Sequence, residues 1–323
     1  MNTFDRIEPK YYIDSDMEEL IKEINKKLDS INISDDIKKS NMIKKSRVRS
    51  IHSSLSIENN SLSLFDVDNI FNNKKVLGKR DEVLEVKNAI EAYNHIHELN
   101  YKSEEDIIKV HNIMMKYLDE DNGYYRTHGE GVEKDGMVIY MAPDSIIVPS
   151  LMRSLFEFIN NSDLNLIIVA AIFHYYFVSI HPFSDGNGRL ARYWVSLMLI
   201  NYNSNFLFIP IEEEIYLNQK DYYASITECH FNMNANVFIR FLLNTINSSL
   251  DKVINNNINS FNINSTQNKI IELITNNNSI TQKEIANIIG LDIRTIKRHF
   301  KVLIDNNIIE RVGSDKTGYW KVL

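Results

Sequence analysis

The residues best suited to chemistry lie between 181 and 192, where the chain reads His-Pro-Phe-Ser-Asp-Gly-Asn-Gly-Arg-Leu-Ala-Arg. Gly186-Asn187-Gly188 leads into a helix. Small residues there let backbone N–H groups close on an anion at the positive end of the helix dipole. Arg189 and Arg192 lie three apart on one side of that helix and can fork onto phosphate oxygens. Asp185 would repel a bare phosphate. A carboxylate there makes sense with a divalent cation between, and Mg²⁺ on phosphates takes one or two carboxylate oxygens plus water. His181 precedes the loop, and an imidazole with an ordinary pKa of about 6.5 suits a general base at neutral pH. Together these groups describe in-line attack by a hydroxyl on a nucleotide phosphorus. The string is neither a P-loop nor a GxGxxG turn. Taken singly, each residue reads as a cap, a core side chain or a surface cation; the conjunction carries the inference.

The elements that must hold this segment are mostly helical. Ser63–Asp66 and Ser103–Asp106 resemble capping boxes with Asp in place of Glu, and each precedes apolar residues at helical spacing. Helices also fit the stretches before Asn59, around Val83–Tyr93, and over 150–161, 190–201 and 237–250. The apolar run Leu164–Ile180 is shorter than the roughly 20 residues of a membrane span. Asn165 and His174 within it favour a buried central helix, with His174 a satisfied core histidine. Gly129–Pro149 breaks the helical pattern with short β-prone runs, Val138–Tyr140 and Ile146–Val148, and reads as a hairpin. The Asn-rich stretch 251–266 lacks a clean period and reads as a linker.

Composition narrows the function classes. The chain has 323 residues, 44% of them hydrophobic, a net charge of −7 and one cysteine, Cys229. Disulfide scaffolds and Cys-based metal clusters are excluded, and the acidic balance argues against non-specific nucleic-acid binding by the whole molecule. Residues 260–323 run the other way, with nine Lys and Arg against six Asp and Glu. The opening residues contain no cationic and apolar leader, so a soluble, cytoplasmic protein without a membrane partner is expected.

The 181–192 segment matches in full the HPFxDGNGRxxR motif and so resembles the Fic (Fido) family, more loosely from about residue 50 to residue 250. The resemblance implies a mainly α fold, a Fic-type helical core with a β-hairpin flap. It also implies transfer of AMP from ATP, with Mg²⁺, to a hydroxyl side chain (Tyr, Thr or Ser) of a target protein or of the enzyme itself. On this chain His181 looks like the base and Phe183 like the core anchor of the loop. Asp185 looks like the Mg²⁺ ligand, and Gly186, Asn187 and Gly188 like the phosphate nest. Arg189 looks like a phosphate clamp and Arg192 like the γ-phosphate ligand. Val138, Ile139, Tyr140 and Met141 resemble the flap that pairs with an extended target segment. Tyr222 resembles a tyrosine on the adenine side, and His230 falls where some relatives place an Asn near the nucleotide.

Ser54-Leu55-Ser56-Ile57-Glu58-Asn59 fits the family's inhibitory pattern [ST]xxxE[GN]. Ser54 and Glu58 share a helix face, with Ile51 and Leu55 on a stripe that can dock against the core. A Glu58 carboxylate brought to Arg192 is expected to pair with it in bidentate fashion and occupy the γ-phosphate clamp. In some relatives the equivalent Glu also serves AMP removal.

Gln267–Leu323 reads as a small winged helix-turn-helix domain. Ile270, Ile271 and Ile274 mark its first helix, a Thr281–Glu284 capping box opens the second, and Gly290 makes the turn. Strands are expected at 308–312 and 319–322. Arg294, Lys297, Arg298 and Lys301 line the third helix, the groove-entering element in DNA-binding versions. The expected organisation is an N-terminal helical region carrying the inhibitory motif (1–100), a Fic core (101–250), a linker (251–266) and the winged helix (267–323). The alternatives are a DNA-binding regulator with a nucleotide-sensing Fic body, and a Fic enzyme using another donor or running de-AMPylation. A homodimer is compatible with the sequence.

Overall fold

The computed structural model describes residues 6–31, 36–129, 131–134, 137–260, 265–305, 308–313 and 318–322. The chain divides into two compact units, Met1–Asp251 and Lys252–Leu323.

Among its described residues, the regular structure of the first unit is helical apart from one hairpin. Its helices are α1 (Ser15–Ser30), α2 (Asp36–Ile57), α3 (Leu64–Phe71), α4 (Arg80–Asn94), α5 (Glu104–Met114), α6 (Val148–Asn161), α7 (Leu166–Ile180), α8 (Asn187–Tyr202), α9 (Ile211–Leu217) and α10 (Gln219–Asn232). The last helix, α11 (Asn236–Ser260), begins here and runs past Asp251. The apolar helix α7 is central and nearly all of it is buried, as its all-round hydrophobicity requires. It packs most extensively on α8. Asn165 caps it by accepting from Ile167 N–H, and His181 ends it in the left-handed region at φ 52°.

The helix with the Ser54–Asn59 pattern is part of this core. Ile51 and Leu55 of α2 are buried, each worth about 1.5–3 kcal/mol of transfer free energy. Beside them Glu212 of α9 has 0% exposure and accepts hydroxyl protons from Ser50, Tyr93 and Ser196 on α2, α4 and α8. Arg49 of α2 pairs with Glu213 at 3.2 Å. The Ser63 capping box forms with both bonds, whereas Ser103 caps Asp106 N–H without the reciprocal bond, because the Asp106 carboxylate turns to Asn100 N–H and Lys109.

The hairpin pairs β1 (Gly131–Lys134) with β2 (Met137–Met141), antiparallel, with a bulge next to Val132. The second β-prone run, Ile146–Val148, is not a strand. Asp144 caps Ile146 N–H and starts a tight helical turn over Ser145–Ile147, and Pro149 sits in the first turn of α6. Proline suits a helix start and cannot donate to a sheet. Most of the stretch read as a linker also differs: α11 stays helical to Ser260, while 261–264 lie outside the described residues.

The second unit contains α12 (Ser265–Asn276), α13 (Gln282–Ile289), α14 (Ile293–Asp305) and an antiparallel pair, β3 (Ile309–Val312) with β4 (Tyr319–Val322). Thr281 and Glu284 form the full capping box, and Gly290 turns the chain at φ 77°. Its core gathers Ile270, Ile274, Ile285, Ile296, Phe300 and Trp320. Among the described residues, no helix is long and apolar enough to cross a membrane.

Candidate active site

The 181–192 segment forms the loop from α7 to α8 and the first turns of α8, and its shape is set by its own side chains. Asn187 turns inward: its amide accepts from Phe183 N–H at 3.0 Å and donates to Phe183 carbonyl at 2.7 Å, closing the loop on itself. The Asn187 side chain is therefore a clasp, and its part in an anion nest falls to its backbone. Gly186 takes φ 81°, where a Cβ would also meet Met115 Sδ at 2.8 Å. That leaves the first-turn N–H groups of α8 without intrahelical acceptors and facing the loop. Phe183 is fully buried and stacks on the His111 ring at 3.7 Å between centroids.

Asp185 sits at the rim. Burial against the loop raises its pKa, but Arg189 (Nη2–Oδ2 2.7 Å) and the Gly186 N–H outweigh this and keep it below the usual carboxylate value. Arg189 is shared with Glu85 of α4 at 3.3 Å, and Glu85 accepts from Asn60 at 2.8 Å. No cluster of three or more His, Cys, Asp or Glu suited to a metal exists among the described residues. The ionised Asp185 carboxylate nevertheless fits a cation that takes its other ligands from phosphate and water, as Mg²⁺ does.

At the far end of the loop Arg192 is 1% exposed. Its Nε donates to Ser54 Oγ at 3.0 Å, and its Nη2 donates to Ser54 carbonyl at 2.9 Å and Glu58 Oε1 at 2.7 Å. The ion pair is thus one-pronged rather than bidentate, because Ser54 already occupies the Nε edge. Burial disfavours the Arg192 charge, and Glu58 more than restores it, holding the pKa above the ordinary value. Among the described residues, Arg192 Nη1 is buried without a hydrogen-bond partner. It lies beside Gly188, where an added Cβ would stand 3.1 Å from Nη1 and 2.5 Å from Glu58 Oε1.

Glu58 is aimed by the way α2 stops. Asn59 N–H bonds to Ser56 carbonyl and Asn60 N–H to Leu55 carbonyl, with Asn59 left-handed at φ 67°. This is a Schellman stop, which accounts for Gly or Asn at that place in the pattern.

Residues 101–199 match the Fic/DOC family, and 263–310 match the winged helix-turn-helix DNA-binding family. The chain carries a Fic domain. It is 26% identical over 267 residues to an Aquifex aeolicus (strain VF5) protein named "Probable protein adenylyltransferase", spanning 74% of this chain and 75% of that one. It is 25% identical to the protein adenylyltransferase Fic of Culex quinquefasciatus over 64% of this chain, but only 42% of that longer protein. Among solved structures, a Fic family protein from Desulfovibrio desulfuricans G20 superimposes with a TM-score of 0.73 at 27% identity, covering 98% of both chains.

Sequence reasoning missed three residues around this segment. His111 of α5 accepts from Gly123 N–H through Nδ1, so its Nε2 donates to the Asp185 carbonyl at 3.0 Å. Burial lowers its pKa and keeps it neutral for that role. Its place on the apolar stripe with Ile107 and Met114 was the available signal. Arg126 and Glu85 gave none, since an isolated charge in a loop or on a helix face reads as solvated. His174 is the core histidine expected: its Nε2 meets Tyr222 OH at 2.9 Å, and burial takes its pKa down to about 3.

Tyr222 itself is 2% exposed and bonded to His174 beneath the site, so its ring is not a free nucleotide surface; its neighbour Tyr223 is half-exposed near Glu58 and Arg192. On β2, Tyr140 stacks on His230 at 3.9 Å and donates to Ser179 carbonyl, which makes it an anchor of the hairpin. Met141 is exposed, and the Val138 and Ile139 side chains lie outside the described residues.

Proposed function

We propose that this chain is a protein adenylyltransferase, moving AMP from ATP to a Tyr, Thr or Ser hydroxyl of a target protein or of itself, and that Glu58 holds it in check. The single observation behind this reading is Arg192: a buried cation with Nη1 open beside Gly188 and its other edge held by Ser54 and Glu58. A buried guanidinium with an unused donor suits a phosphate, and one already bound to a carboxylate suits a phosphate kept out. Relatives named protein adenylyltransferase support the chemistry.

In this mechanism the target hydroxyl oxygen attacks the α-phosphorus in line while His181 takes its proton. The bond from that phosphorus to the bridging oxygen breaks, and pyrophosphate leaves with the electron pair. The first-turn N–H groups of α8, with Arg189, hold the α- and β-phosphates, and Arg192 takes the γ-phosphate. Asp185 would hold Mg²⁺, which when bound offsets the phosphate charge. Glu58 on Arg192 removes half of that clamp and leaves ATP misaligned.

The test is label transfer from ATP tagged on either the α- or the γ-phosphate, using wild type, Glu58→Gly and His181→Ala in the Glu58→Gly background. Protein labelled from the α-position, stronger in Glu58→Gly and lost with His181→Ala, supports the reading. Label from the γ-position, or none from any variant that still binds ATP, removes it.

The exposed stripe Arg294, Lys297, Arg298 and Lys301 on α14 favours a second activity, duplex DNA binding by the C-terminal unit. Each Ala substitution there should lower the salt slope of binding by about one. Absence of binding at low salt would exclude this activity.

A further inference from the structure

Arg126 is a long cation that is 2% exposed in a connecting segment. Among the described residues its donors reach four backbone carbonyls: Nε to His181 at 2.6 Å, Nη1 to His128 at 2.6 Å, and Nη2 to Pro143 and, at 3.3 Å, to Ile180. Its own N–H donates to Pro182 carbonyl at 2.9 Å. The Ile180 and His181 carbonyls belong to the end of α7, where helical acceptors lack intrahelical donors and the dipole favours a cation. His128 precedes β1 and Pro143 follows β2, so they are the two roots of the hairpin. One planar guanidinium therefore joins the backbone of His181 to both ends of β1–β2.

We infer that Arg126 is the positioning residue that sets a target strand, added along the hairpin, at a fixed reach from His181. The inference rests on the proposed transfer reaction. The hairpin's other anchor on the body, Tyr140 on His230 and Ser179, grips one strand by its side chain. Arg126 instead grips main chain at both roots, so the hairpin and the loop shift together or not at all. Lysine keeps the charge but has no planar fork to span these carbonyls. Arg126 touches neither the nucleotide clamp at Arg192 nor the Asp185 carboxylate in the contacts described, so its loss should separate acceptor placement from nucleotide binding.

The test uses the Glu58→Gly enzyme with Arg126→Lys, and with Arg126→Gly with and without added guanidinium ion. ATP affinity is measured by calorimetry, and transfer from α-labelled ATP to the enzyme itself and to short extended peptides bearing one Tyr, Thr or Ser. Breakdown of ATP to AMP with water as acceptor and amide hydrogen exchange over 137–141 complete the set. Arg126→Lys should hold ATP affinity and hydrolysis within about twofold while transfer falls about 30-fold, the penalty expected for acceptor misplacement. Hairpin amides should exchange about tenfold faster, and guanidinium should restore transfer to Arg126→Gly. Unchanged hairpin exchange, or ATP affinity lost in step with transfer, overturns the inference. If the parent enzyme transfers no label, the adenylyltransferase reading fails, and exchange over 137–141 with and without guanidinium still decides whether Arg126 couples hairpin and loop.

Discussion

The two ends of the 181–192 loop are held in opposite ways. The Arg192 end is gripped by side chains from α2, whose buried face and Ser50–Glu212 bond make it part of the core. The His181 end is held through backbone carbonyls by Arg126, on a connecting segment beside a two-stranded hairpin. The difference teaches where adjustment is cheap. Undocking α2 would expose its apolar face and strand the Glu212 carboxylate, whereas moving Glu58 alone breaks one charge-assisted bond at the helix terminus. Release of the Arg192 end should therefore come from the Glu58 side chain, with α2 staying in place.

That contrast can be broken at several points. The largest expected effect is at the α2 anchor. Glu212→Ala leaves three hydroxyls without their shared acceptor and should destabilise the first unit by about 3 kcal/mol, read by chemical denaturation. A loss under 1 kcal/mol would mean that α2 is not pinned as argued. Next, Glu58→Gly should tighten ATP binding about 10- to 100-fold, the worth of one charged hydrogen bond, with amide exchange along α2 unchanged. Faster exchange along α2 would point instead to its undocking.

Acid should also weaken the core beneath Arg192. His174 is held neutral, its pKa lowered to about 3 by burial, so below about pH 6.5 the unfolded chain takes up a proton that the native chain refuses. Native stability then falls by about 1.4 kcal/mol per pH unit from there down towards pH 3. Replacing His174 by Gln should remove that slope from the stability–pH curve; an unaltered slope would assign it elsewhere. The smallest effect belongs to Asn59. Glycine there should leave the brake intact, while Asn59→Val, forced into the left-handed region, should cost about 1 kcal/mol and raise basal transfer. Equal basal rates in the two variants would show that the helix stop does not aim Glu58.

What was legible in the sequence was local. The anion loop, its helix start, the capping boxes at Ser63 and Thr281, and the turn at Gly290 depend on residues a few positions apart, which backbone sterics and capping constrain directly. The pairing of Ser54 and Glu58 on one face followed from the helical repeat in the same way. One strand of the hairpin, Val138–Tyr140, was read correctly, but its partner was sought at Ile146–Val148 and lies instead at Gly131–Lys134, because Val and Ile before Pro149 have β propensity until a cap and a proline start a helix.

By itself, then, this sequence determined which groups could do chemistry and the short-range geometry among them, since neighbours along the chain fix φ, ψ and side-chain direction. Only the tertiary structure decided who meets whom at long range. Arg192 finds Glu58 across 134 positions, and Arg126 reaches the His181 carbonyl across 55. Tyr222 is buried and bonded to His174, beside Arg192. Such choices depend on how whole helices pack and on which buried polar groups still need partners, quantities spread over the entire core and not written in any one stretch of residues.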